Sequence, residues 1–158
     1  MYMFMHVFVP LLFVEILIYL KYIKREHIYF FWAIIGALLP DIIDKPLSLL
    51  FSTIFSGRGI AHAPLLWIFI LTVLFFLQLN RSILFSVGFG VGCHILLDIP
   101  YIPIFWPFRK YELLHSSLED WWVVLITNPL IYISEIMSLL GIMVILKVEK
   151  VVFHKKWI

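Results

Sequence analysis

Histidines and carboxylates recur along this chain at spacings that suit a metal ion. His94 and Asp98, in HILLD, are four residues apart. On a helix that spacing puts both side chains on one face. Asp41 and Asp44 follow Pro40 in LLPDIID, and His62 follows Arg58 in GRGIAHAP. His6 stands near the start, while His115 and Glu119, in HSSLE, repeat the four-residue spacing. Imidazole and carboxylate together suit Zn²⁺ and similar divalent ions. The planar fork of Arg58 matches a phosphate group. Gly57 and Gly59 beside it let the backbone come close to a ligand.

Each pattern also has a plainer use. His94 and Asp98 can form a simple hydrogen bond, which costs less to bury than either group alone. Asp41 and Asp44 can be water-exposed carboxylates at a helix end. Arg58 and His62 can belong to an ordinary glycine turn, and His115 and Glu119 to a solvated face. Glu15 and Glu135 both lie inside apolar segments. Glu135 falls near the site if its helix starts at Pro129. Glu15 lies about 180° around the helix from His6, which suits a structural partner. Cys93 points away from His94 and reads as core.

The elements that must carry these residues are set by composition. Of 158 residues, 63% are hydrophobic, 18% aromatic and only 14% charged. Mean hydropathy is +1.04. Soluble domains are roughly a quarter charged, so lipid is expected as the solvent for most of the exterior. The single cysteine excludes an intrachain disulfide framework. A net charge of +2 without a long basic run gives no nucleic-acid surface. No Lys or Arg precedes the first apolar run and no small-residue cleavage motif follows it, so it reads as a retained helix.

A bilayer span takes about 20 apolar residues. Five segments qualify, at about 4–20, 28–40, 63–79, 82–98 and 129–147. Pro40 is expected to stop the second. Asn128-Pro129 should cap and start the fifth, with 121–127 at the interface. Residues 45–57 should form a short interfacial helix. The fold class is therefore all-α: a polytopic membrane bundle of about five spans in a single domain, 1–158.

The positive-inside rule orients it. Lys21, Lys24, Arg25, Arg81, Lys147, Lys150, Lys155 and Lys156 fall on one side; Lys45, Arg58, Arg109 and Lys110 fall on the other. The N-terminus is then outside and the C-terminus cytoplasmic. In that arrangement His6, Asp41, Asp44, Arg58, His62, His94, Asp98, His115 and Glu119 all reach the external ends of helices or external loops. Counted from the cytoplasmic anchors, the helical ones lie roughly 20–28 Å up. Ionisable groups at such depth face a cavity or pair with one another. One depth shared by several helices is what a recessed metal site requires.

Taken in order, these motifs resemble the YdjM-type, LexA-regulated, membrane-bound metal-dependent hydrolases, particularly their archaeal branch. The resemblance rests on His6, GALLPDIIDKPLS, GRGIAHAPLLW, GCHILLDIP and IFWPF, and covers about residues 6–108. More distantly, the order His6, Asp41 or Asp44, His62, then His94 with Asp98 is similar to zinc-dependent phospholipase C and the zinc nucleases. His115 and Glu119 resemble the final His-x-x-x-Glu of those enzymes. Here an extra Ile separates Asp41 from Asp44, His62 is followed by Ala63, and no further His follows Asp98 before His115. One or two zinc ions are therefore expected rather than three.

The resemblance implies a membrane-embedded hydrolase of phosphoester bonds, acting on a lipid headgroup or similar substrate at the outer face. His6, His62, His94, Asp98 and Asp41 or Asp44 would hold divalent metal. The remaining carboxylate would orient or deprotonate water, and Arg58 would neutralise phosphate. His115, Glu119 and Glu135 are further candidates. The alternative is a non-enzymatic membrane protein: a metal-binding subunit, an ion or proton conductor, or an assembly partner.

Overall fold

The apolar segments form five α-helices among the described residues of the computed structural model, which are 3–51, 58–99, 102–109, 123 and 126–152. They are α1 (Met3–Tyr19), α2 (Phe30–Leu50), α3 (Pro64–Phe76), α4 (Arg81–Leu97) and α5 (Pro129–Val152). Short 3₁₀ turns at Arg25–His27 and Ile60–His62 precede α2 and α3. There is no strand among the described residues, so the all-α expectation holds.

α5 starts where the Asn-Pro signal put it. Asn128 Oδ1 accepts the Leu130 N–H at 3.1 Å, which satisfies one of the free donors at the helix start. Proline, which lacks that donor, takes the first position. α1 closes with Lys21 at φ 61, where the Tyr22 N–H reaches the Leu17 carbonyl and the Lys21 N–H reaches Ile18. This left-handed closure satisfies the last carbonyls without a glycine.

The second helix does not stop at Pro40. α2 runs on through Pro40 and Pro46 to Leu50. Residues 45–50 are therefore its last turns rather than the start of a separate interfacial helix, and 52–57 lie outside the described residues. A mid-helix proline costs one backbone bond and some strain. Tertiary contacts outweigh that here. Phe30, Ala33, Gly36, Ala37, Pro40, Asp41 and Asp44 form one buried stripe along α2, at the spacing of a single helix face. α3 likewise ends at Phe76, three residues before the expected 79.

The stripe packs on α4 through small residues. A Cβ added at Gly90 would lie 2.2 Å from the Ala33 carbonyl oxygen, and one at Gly36 would lie 2.2 Å from the Val87 oxygen. Only glycine allows backbones to approach this closely, a common basis of helix pairing in lipid. At the other end of the contact, Ser86 Oγ accepts the Tyr29 N–H at 2.8 Å. Two apolar clusters flank the pair. Val7, Leu11 and Val14 of α1 meet Ile142 and Ile145 of α5, while Trp67 meets Val91, Ile95 and Ile102.

The outside remains apolar. Phe13, Phe31, Ile68, Phe69, Phe76, Leu96, Leu130 and Met137 are all exposed. α3 buries only Trp67. A surface of this kind would associate in water. Pro129–Val148 is long and apolar enough to cross a membrane. Met3–Tyr19, Pro64–Phe76 and Arg81–Leu97 are apolar but shorter.

Candidate metal centre

Three helices and one turn deliver polar residues to a single buried place. His6 comes from the first turns of α1, Asp41 and Asp44 from α2, His62 from the turn before α3, and His94 with Asp98 from the end of α4. All six are buried, with Asp44, His62 and His94 fully so. An isolated buried charge is prohibitively costly, so each of these groups must be paired or must meet a cation.

Asp44 is spent on the turn that carries His62. Its carboxylate accepts the N–H groups of Gly59 (2.8 Å), Ala61 (3.0 Å) and His62 (3.1 Å). It also lies 2.7 Å from His62 Nδ1. Trp67 Nε1 donates to the Ala61 carbonyl at 2.6 Å and ties the same turn to α3. A carboxylate can only accept, so Nδ1 carries the proton and Nε2 points its lone pair away from Asp44.

His94 is set in the same way by a different group. Its Nδ1 lies 2.6 Å from the Ala37 carbonyl oxygen. A carbonyl also only accepts, so His94 Nε2 is again the free lone pair. The close α2–α4 contact is what brings the imidazole within reach of that carbonyl. Pro40 has no N–H to close on Gly36, and the Ala37 carbonyl lies one residue beyond.

The two Nε2 atoms meet 3.2 Å apart. Two nitrogens bound at about 2.0–2.1 Å to one tetrahedral Zn²⁺ stand roughly 3.3 Å from each other. Around this pair, Asp41 Oδ1 is 3.4 Å from His62 Nε2 and 3.8 Å from His94 Nε2. Asp98 Oδ2 is 3.4 Å from His62 Nε2 and 3.8 Å from His94 Nε2. His6 Nε2 is 3.3 Å from Asp98 Oδ1, and its ring centroid is 4.3 Å from that of His94. Asp41 Oδ1 is buried and makes no well-aligned hydrogen bond.

Donor chemistry and spacing therefore fit a divalent cation. His6, His94 and Asp98 form one group of possible ligands; Asp41, His62 and His94 form another. The groups share His94, and its Nε2 has one lone pair while its Nδ1 is engaged by Ala37. The shared nitrogen can serve one ion, not two. Burial works against a charge on His62, yet the carboxylates of Asp41, Asp44 and Asp98 around it outweigh burial and hold its pKa up to about 10. The three carboxylates require positive charge at this spot, whether a proton or a metal supplies it.

Two partly exposed cations border the cluster. Arg58 reaches Asp98 with both arms of its fork, Nε to Oδ2 at 3.0 Å and Nη2 to Oδ1 at 3.1 Å. Lys45 Nζ reaches Asp41 Oδ2 at 3.0 Å. Arg58 was legible as a site residue from its glycine-flanked motif. Lys45 was not, because Pro40 and Pro46 hid the fact that Asp41 and Lys45 share one helix at i, i+4. The Ala37 carbonyl, a backbone group, left no sequence signal.

Other candidates lie elsewhere. Glu135 binds the N-terminus of α1, with Oε2 3.0 Å from the Phe4 N and Oε1 3.2 Å from the Met5 N. Glu15 accepts from Arg25 Nη2 at 3.0 Å, the structural partnership expected of it. Cys93 is half-buried and belongs to neither ligand group. His115 and Glu119 fall outside the described residues.

The YdjM inner membrane protein family matches residues 1–155, and the chain belongs to it. It is thus a membrane protein, in keeping with its apolar exterior. No curated protein and no solved structure matches it.

Proposed function

We propose that this chain is a membrane-embedded, metal-dependent hydrolase of phosphoester bonds, with one divalent cation, zinc by its donor set, held among His6, Asp41, His62, His94 and Asp98. The observation that carries the reading is the pair of Nε2 lone pairs, 3.2 Å apart, each aimed by an acceptor on its own Nδ1. Structural partners of that kind are characteristic of zinc-binding histidines. The likeness of the ordered ligands to zinc-dependent phospholipase C supports the phosphoester assignment.

When bound, such a cation supplies water of lowered pKa and polarises a phosphoryl oxygen. The chain's own residues supply the rest. Asp41 turns Oδ1 toward the cation as a ligand and gives Oδ2 to Lys45. Asp44 keeps the His62 imidazole in the correct tautomer. Arg58 and Lys45, 31% and 27% exposed, give an incoming phosphate two cations at the rim of a dry site. A lipid headgroup is the substrate class that fits a site walled by lipid-facing helices.

In the membrane we assign α1 to α5 as five spans, with the N-terminus outside. α1 and α4 run from the site at one end to Lys21, Lys24 and Arg81 at the other. That separation supports placing the site near the outer headgroups.

A second reading is favoured by the number of donors. Five protein ligands can close a site, and closed sites are structural. The chain would then bind metal without turnover, alone or as a subunit. The proton-conductor variant loses its motive, since Glu15 and Glu135 are both locally paired.

The test is the full chain purified in detergent, with its metal content measured. Hydrolysis of a chromogenic phosphodiester and of mixed phospholipids is then followed with and without chelator. Chelator-sensitive turnover restored by zinc supports the hydrolase. Stoichiometric metal with no turnover on either substrate moves the assignment to the second reading, and metal-free folded protein sinks both.

A further inference from the structure

We propose that Glu135 is a positioning residue: by clasping the first turn of α1 it sets where His6 stands. The inference rests on the metal reading above. It begins with an arrangement that the sequence does not suggest, in which a carboxylate on the last helix caps the first, 130 residues away.

Phe4 and Met5 are among the first four residues of α1, whose N–H groups have no partner within the helix. The two oxygens of Glu135 take one each. A carboxylate there also meets the positive end of the helix dipole. His6 is the next residue. Four residues further on stands Pro10, buried within α1. Pro10 has no N–H to donate to the turn before it. The turn bearing His6 is thus held less firmly by its own helix than a continuous one would be.

α5 makes good that loss. The contact below the clasp is tight: a Cβ at Gly141 would lie 2.3 Å from the Phe8 ring. Ile142 and Ile145 pack on Val7, Leu11 and Val14. Val7 and Phe8 follow His6 directly. α5 contributes no residue to either ligand group among the described residues, yet through Glu135 and this seam it fixes the height and rotation of His6 against Asp98 and His94.

The experiment measures Zn²⁺ affinity of the detergent-purified full chain by competition with a chromophoric chelator. The variants are Glu135→Ala, Glu135→Gln, His6→Ala and the His6→Ala/Glu135→Ala double. Glu135→Ala is expected to weaken Zn²⁺ binding about 10- to 100-fold, the range seen when partners that orient ligands are removed. Glu135→Gln, which keeps one acceptor oxygen, should lose less. The double variant should bind no more weakly than His6→Ala alone, because the clasp acts only through His6. Unchanged affinity in Glu135→Ala overturns the inference. So does an equal loss in both backgrounds, which would mark a general effect on packing. A wild-type chain that takes up no zinc removes the metal reading itself, a result distinct from either.

Discussion

His62 Nε2 and His94 Nε2 face each other at 3.2 Å, and each has its other nitrogen committed to an acceptor, Asp44 for one and the Ala37 carbonyl for the other. Two lone pairs at that distance repel unless something positive lies between them. The arrangement is therefore stable only with a shared proton or a shared cation.

The first consequence is stoichiometric. Because both ligand groups draw on His94 Nε2, the chain should bind one divalent ion. Elemental analysis of protein purified in detergent should give about one metal per chain. His94→Ala and His62→Ala should each lose it, while retaining helicity by circular dichroism.

Asp41 and Asp44 should behave differently despite their similar sequence setting. Asp41→Asn removes a ligand and should lower metal content. Asp44→Ala strips the acceptor from three buried N–H groups as well as from His62. At about 1–3 kcal/mol for each unsatisfied group, it should lower the melting temperature even in metal-free protein. Thermal unfolding with and without chelator separates the two effects.

The α2–α4 seam should be as important to the site as its ligands. In Gly90→Ala the new Cβ would meet the Ala33 carbonyl, so the helices must part. Overpacking of this kind costs about 1–3 kcal/mol. It should also draw His94 from Ala37 and weaken metal binding, although Gly90 belongs to neither ligand group. Gly92→Ala, whose Cβ would meet nothing within 4 Å, is the control: it should leave affinity unchanged and should not lower the melting temperature, since alanine is the better helix former.

Metal and proton should compete for His62. Its pKa is raised to about 10 by Asp41, Asp44 and Asp98, so in the metal-free chain at neutral pH it holds a proton that an incoming ion must displace. Apparent affinity should therefore rise with pH, by about tenfold per unit for one displaced proton, and level off near 10. Competition titrations with Zn²⁺ between pH 6 and 8 read the slope. A flat profile would mean that His62 is not a ligand.

Much of the site was legible because its residues are out of place. A histidine or aspartate in a chain of mean hydropathy +1.04 is costly unless matched, so His6, Asp41, Asp44, Arg58, His62, His94 and Asp98 stood out one by one. Their shared end of the bundle followed from helix rise and basic anchors. Asn128-Pro129 marked the start of α5 by local chemistry alone. The end of α2 was misread because Pro40 has a strong local preference, which burial against α4 overrides. Local rules cannot see that partner.

The sequence by itself determined that this chain is helical, that its exterior is apolar and which residues could meet a metal. Those properties depend on composition and on periods of three to four residues, which neighbours in the chain suffice to set. The tertiary structure decided which aspartate faces the paired imidazoles and which is spent on a turn, that Lys45 joins the rim, and that Glu135 caps α1. Each of those depends on distances between helices, set where glycine lets two backbones touch, and no spacing along a single chain segment encodes them.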